Sequence, residues 1–150
     1  MIIDTSALVA IVRLEPDGPA LERAIAAATV ARISAATLVE VYVVIDGLRD
    51  PTASGALDAV LATASVHVEP FTAEQAAIAR TAYQRFGKGS GHPAQLNMGD
   101  CFSYALARDI GEPLLFKGRD FALTDIEIVT TPLKERRLSE VIATYSAGTP

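Results

Sequence analysis

Apolar residues in this chain come in short blocks of two kinds, and the alternation between them predicts the elements. "MIID" at the start is short and continuously apolar up to Asp4, which predicts a buried strand. "TSALVAIVRL" then spaces its apolar residues as a helix does, and "EPDGP" closes it with a turn. "ALERAIAAAT" is helical by propensity, and "VARIS" is a short strand ending near Ser34. "AATLVEVYVVIDGL" is β-branched, but its length and its closing Gly47 predict a buried helix. "DPTASGALDAVLATA" begins a further helix with Pro51 near its first turn. "VHVEP" reads as a strand, and "TAEQAAIARTAYQRFG" as a helix with a capping-box pattern from Thr72 to Gln75. "GKGSGHPAQLNMG" is a loop by its glycines and proline, after which Asp100 opens the helix "DCFSYALARDIG". "EPLLFKG" is a strand, "RDFALTD" a turn, "IEIV" a last strand, and "LKERRLSEVIATYS" a polar C-terminal helix.

Strands separated by helical segments throughout predict βα units, hence an α/β fold with a mostly parallel, helix-covered sheet. In such sheets the working site lies beyond the carboxyl ends of the strands. Asp4 and the "KGRD" segment both follow strands directly, so chemistry is expected there.

At 150 residues, the length fits one domain with a real core, and no internal repeat is visible. Half of the residues are apolar and 21% are charged, which excludes a disordered chain. The single cysteine, Cys101, has no internal disulfide partner. No basic stretch precedes an apolar run at the N-terminus, and "AVLATASVHV" falls well short of the roughly 20 residues that span a bilayer. The expectation is a cytoplasmic protein with no membrane partner. A net charge of −5 counts against broad, nonspecific nucleic-acid binding but leaves room for a local basic groove beside an acidic site.

Four acids stand out by context. Asp4 ends the first strand, Glu40 sits inside the apolar "LVEVYVVI", Asp100 follows the glycine-rich loop, and Asp120 follows "LLF". Taken singly, Asp4, Asp100 and Asp120 could each be a helix N-cap worth about 1 kcal/mol. Glu40 needs a partner or a metal, because a buried, unpaired carboxylate costs several kcal/mol. Clustered carboxylates are hard oxygen ligands that suit Mg²⁺ or Mn²⁺, and such a cation polarises a phosphoryl oxygen and acidifies a water.

"MIIDTSALVAI", "ISAATLVEVYVVI", "LNMGDCFSYALAR" and "PLLFKGRDFALTDI", in that order, resemble the motifs of PIN-domain ribonucleases. More narrowly they resemble those of VapC toxins from bacterial toxin–antitoxin pairs. The likeness runs from Met1 to about Val129, so one PIN domain with a core of about residues 1–129 and a C-terminal helical extension is expected. The resemblance implies a three-layer α/β/α sandwich, a homodimer, and RNA cleavage that depends on Mg²⁺ or Mn²⁺. It maps metal-binding acids onto Asp4, Glu40 and Asp100, and hydroxyls near the metal-bound water onto Thr5 or Ser6. A VapB-type antitoxin is the implied protein partner. At the position where many PIN domains carry a fourth acid this chain has Gly118, so Asp120 is the candidate, with Asp125 as the further one.

Lys88, Lys117 and Arg119 are candidates for RNA phosphate contacts, or else solvated surface cations. Arg136 and Arg137 read as surface or interface residues. Cys101 reads as a core residue, and His67 and His92 show no metal-ligand spacing. "GKGSG" follows a helix and lacks the spacing of a phosphate loop. Two other functions compete with a nuclease. A receiver-type, phosphate-accepting module would use Lys117 but needs paired acids after the first strand, where "MIIDTS" has one, and an Asp ending its third strand, where "VHVEP" offers Glu69. The other is a PIN-fold binding protein without catalysis, against which the intact acids argue.

Overall fold

The computed structural model describes residues 1–130. Four short strands, β1 (Ile2–Ile3), β2 (Arg32–Ser34), β3 (His67–Glu69) and β4 (Leu114–Leu115), form an all-parallel sheet in the order β3-β2-β1-β4. Six helices cover it: α1 (Thr5–Val12), α2 (Gly18–Ala27), α3 (Ala35–Asp46), α4 (Pro51–Thr63), α5 (Ala73–Phe86) and α6 (Met98–Ile110). A 3₁₀ turn over Asp120–Leu123 follows β4.

Side chains alternate between the two faces of a strand, and the central β1 divides the core accordingly. Ile2 packs with Leu114, Phe116, Leu106 and Phe86 on the face covered by α5 and α6. Ile3 packs with Leu115, Ile33, Leu8 and Val41 on the face covered by α1 to α4. The register pairs Ile2 with both Arg32 and Leu114, so β1 lies between two neighbours and Asp4 emerges at the middle of the sheet's carboxyl edge. The fold is the helix-covered parallel sheet that the alternating pattern predicts, in the three-layer α/β/α form that the family resemblance implies.

Three local readings change. "IEIV" is expected as a strand, but only one parallel bridge, Leu114 to Ile128, forms beside β4. Its alternation of Ile with Glu was too short a signal to tell a bridge from a strand. The loop before α6 ends two residues early, because Asn97 rather than Asp100 is the N-cap. Third, α3 is a helix but not a buried one: Thr37, Val41 and Ile45 face inward, while Val39 and Val43 are 61% and 68% exposed. An apolar composition does not say which face meets a neighbour. The expected C-terminal helix, with Arg136 and Arg137, lies outside the described residues.

Candidate active site

Each acid is delivered by the start or the side of a helix. Asp4 is the N-cap of α1, where its Oδ2 accepts from the Ser6 backbone N–H at 2.9 Å and from Ser6 Oγ at 2.6 Å. Its Oδ1 accepts from Ser103 Oγ on α6 at 2.7 Å. Asp4 is thus a cap and also a buried carboxylate, only 2% exposed. Glu40 projects from α3, half-buried, and its Oε2 accepts from Thr5 Oγ1 at 2.6 Å. Asp100 is the third helical residue of α6 in a capping box: its Oδ2 accepts from the Asn97 N–H at 2.7 Å while Asn97 Oδ1 accepts from the Asp100 N–H. Such a box satisfies two backbone donors and ties the carboxylate to the helix N-terminus.

These acids share one electrostatic environment. Burial pushes the Asp100 carboxyl up to about 6, and the charges of Asp4, Asp120 and Glu40 push in the same direction against the Asn97 hydrogen bond. Gly99 shows how tightly α3 meets α6, because a Cβ there would run into the Glu40 carboxylate. Among the described residues, no Lys, Arg or His forms an ion pair with Asp4, Glu40, Asp100 or Asp120.

The region after β4 distinguishes the two candidates for a fourth acid. Gly118 has a φ of +116°, a conformation an L side chain adopts only with strain, so an acid is disfavoured at that position. Asp120, exposed at the first position of the 3₁₀ turn, makes no capping hydrogen bond and acts on Asp100 through its charge. Asp125 does not cap the following segment either. It accepts from Tyr104 Oη at 2.6 Å and from Arg85 at 3.0 Å, and these bonds hold its carboxyl below the usual range. Asp125 is therefore committed to α5 and α6, away from the cluster.

Of the candidate cations, Lys117 is turned to an ion pair with Glu15, while its backbone N–H donates to Ser6 Oγ at 3.0 Å. Lys88 and Arg119 are exposed. Cys101 is buried, and desolvation with the neighbouring Asp100 pushes its thiol up to about 11, so it stays a protonated core residue. His92 accepts from the Ala94 N–H and packs edge-on against Phe86, and His67 lies exposed on the edge strand β3. Two site residues, Ser103 and Thr37, were missed from the sequence. Each stands three positions from an acid on its helix, Ser103 after Asp100 and Thr37 before Glu40, and that helical spacing was the available signal.

The donor set suits a small hard cation. Asp4 Oδ1 takes one donor, while Glu40 Oε1 and Asp100 Oδ1 take none among the described residues, so each acid keeps an oxygen with open lone pairs. Among the described residues no three His, Cys, Asp or Glu side chains converge as a ready-made cage. Mg²⁺ does not need one, since it keeps several waters and binds through one or two carboxylates plus substrate phosphates.

The four-stranded parallel sheet with helices on both faces is an α/β domain, and the PIN domain model matches residues 1–127. The sequence is 54% identical over 127 residues to Ribonuclease VapC28 of Mycobacterium tuberculosis, covering 85% of this chain and 96% of that protein. It is 50% identical over 129 residues to Ribonuclease VapC of Mycolicibacterium smegmatis, covering 86% and 99%. Among solved structures, Mycobacterium tuberculosis VapC20, described as a sarcin–ricin loop cleaving toxin, superposes with a TM-score of 0.69 at 21% identity, over 85% of this chain and 97% of that one. VapBC2 of Rickettsia felis, bound to a DNA fragment from its promoter, gives 0.65 at 15% identity, over 87% and 97%. The chain belongs to the PIN-domain family and, within it, to the VapC ribonucleases of toxin–antitoxin pairs. That membership sets aside the receiver-type reading.

Two predictions follow from this geometry. Gly99→Ala should displace the flexible end of Glu40 rather than unfold α6, lowering activity at least tenfold with a nearly unchanged melting temperature; steady-state rates and thermal melts check this. Asp100 is harder to ionise in the folded state than in the unfolded chain, so its charge destabilises the metal-free fold above about pH 6 and ceases to do so as the group protonates. Asp100→Asn should therefore raise the melting temperature in chelator at pH 7 to 8, and the difference from wild type should shrink as the pH falls from 6 towards 4.

Proposed function

We propose that this chain is a Mg²⁺- or Mn²⁺-dependent endoribonuclease that hydrolyses RNA phosphodiester bonds in the cytoplasm. The observation that carries this reading is the carboxylate cluster itself. Asp100 is pushed up to about 6 beside three other acids, and no described cation is paired with any of them. Such an arrangement costs folding energy unless a cation is bound. Asp4, Glu40 and Asp100 would hold it, and when bound it polarises the phosphate and makes a water acidic enough to attack. Thr5 orients Glu40, and Ser6 and Ser103 orient Asp4. Asp120, exposed at the rim, would act on the same cation through water. Lys88 and Arg119 are left as the exposed cations for RNA phosphates.

The protein partner is a cognate antitoxin of the VapB type. Structural neighbours include a toxin–antitoxin complex from Klebsiella pneumoniae, with a TM-score of 0.59 at 18% identity. Two features of this chain suit such a partner: an acid pocket that a guanidinium pairs with bidentately, and the exposed apolar side chains Val39 and Val43 of α3 flanking Glu40. A short amphipathic antitoxin segment would lay its apolar face on α3 and place an Arg or Lys among the acids. A homodimer is the family's expected assembly.

Asp4→Asn, Glu40→Gln and Asp100→Asn should each abolish RNA cleavage and growth inhibition while the circular-dichroism spectrum is unchanged, and chelator should do the same to wild type. Asp120→Asn should cut the rate by about 10- to 100-fold, the usual cost of losing a group that supports a ligand, and Asp125→Asn should leave it near wild type. Wild-type rates in two of the first three variants would refute the assignment, and would favour a binding protein if chelator also had no effect. The purified complex with antitoxin should be inactive, and replacing the inserted cation should restore part of the activity; a fully active complex would refute this mode of inhibition.

A further inference from the structure

Beneath the acids lies a second layer made of hydroxyls. Thr37 stands one turn before Glu40 on α3, and Ser103 one turn after Asp100 on α6, so each shares a helix face with its acid. Both side chains are completely buried, at 0% exposure. Ser103 otherwise belongs to an apolar stretch of α6 in which Cys101, Tyr104, Ala105, Leu106 and Ala107 are buried, a setting in which alanine would pack without cost. A buried hydroxyl in such a place costs free energy unless it is hydrogen-bonded.

The direction of these bonds can be derived. A carboxylate only accepts, so Ser103 spends its one proton on Asp4 Oδ1 at 2.7 Å. Ser103 Oγ then has only lone pairs for its 3.2 Å contact with Thr37 Oγ1, which makes Thr37 the donor. The relay therefore runs one way, from Thr37 through Ser103 to Asp4. From the other side, Ser6 supplies two donors to Oδ2, its N–H and its hydroxyl. A carboxylate offers about four lone-pair sites, and with three filled among the described residues Asp4 retains one, on Oδ1.

We propose that Ser103, oriented by Thr37, is a positioning residue that clamps the Asp4 carboxylate so that this single remaining lone pair is presented to a divalent cation. The clamp joins the three elements that carry the principal acids, the end of β1, α3 and α6, so their mutual placement is registered through it. A carboxylate held by donors on both oxygens does not have to be reoriented when the cation arrives, and the cation gains affinity from that preorganisation. This inference rests on the cation reading of the pocket and goes beyond it by assigning a role to two residues that would not touch the metal.

The test is calorimetric titration of metal-free full-length protein with Mn²⁺, paired with thermal melts in chelator. Ser103→Ala should weaken Mn²⁺ binding by about 10- to 100-fold, and Ser103→Thr, which keeps the hydroxyl, should recover most of it. Thr37→Val, isosteric but without a donor, should cause a smaller loss, and it tests the same relay if Ser103→Ala does not fold. A purely structural hydroxyl would lower the melting temperature and leave Mn²⁺ affinity at the wild-type value, and that result for Ser103→Ala, or for Thr37→Val in its place, would overturn the proposal. If wild type itself takes up no Mn²⁺, the cation reading fails and this inference with it. Wild-type binding with unchanged variants would overturn the positioning role alone.

Discussion

A carboxylate at the end of a central strand has to be reconciled with burial, and Asp4 is the constraint on which the other features of this molecule depend. It is almost fully enclosed, and among the described residues no cation pairs with it. Hydrogen-bond donors take the place of a counter-ion: the first turn of α1, the Ser6 hydroxyl and the Ser103 hydroxyl. Ser6 in turn accepts from the Lys117 backbone just past β4, so the network reaches both the strand beside β1 and the helix that follows β1. Packing on the two sides of β1 is thereby registered to one carboxyl group. Because α1 starts immediately after β1, the cap that starts this helix and the buried carboxylate at the end of β1 are the same residue.

Charge is handled differently at the two ends of the sheet. At the amino end, Arg32 bridges Glu69 and Glu112, and the N-terminal ammonium also pairs with Glu112. At the carboxyl end, Lys117 is committed to Glu15, while the charges of Asp4, Asp120 and Glu40 make Asp100 harder to ionise. The pairs at the first end join their strands, whereas the acids at the second have no described cation paired with them.

The resemblance to relatives at about half identity, and to structures at about a fifth, has a physical basis in how little the framework demands. The two-residue β1 at the sheet centre needs only apolar side chains on both faces, which many sequences supply. The residues at the strand and helix ends have specific partners: Asp4 with Ser6 and Ser103, Thr5 with Glu40, Asp100 with Asn97, and Gly99 against the Glu40 carboxylate.

Periodicity and capping residues act over a few neighbouring positions, so the α/β class and most of the strands and helices were legible in the sequence, and four acids stood out as candidates. Asp4 at a strand end and Glu40 in an apolar run were visible as anomalies without any partner being known. Tertiary structure alone decided what those anomalies mean to one another. No local rule could place Asp120 within electrostatic reach of Asp100 while tying Asp125 to Tyr104 and Arg85. The same holds for Lys117, whose charge is spent on Glu15, and for α3, whose outer apolar face is bare. Ser103 and Thr37 stand at helical spacing from an acid, but that spacing does not say that their hydroxyls are buried and bonded to each other and to Asp4; only the packed molecule brings the three elements together.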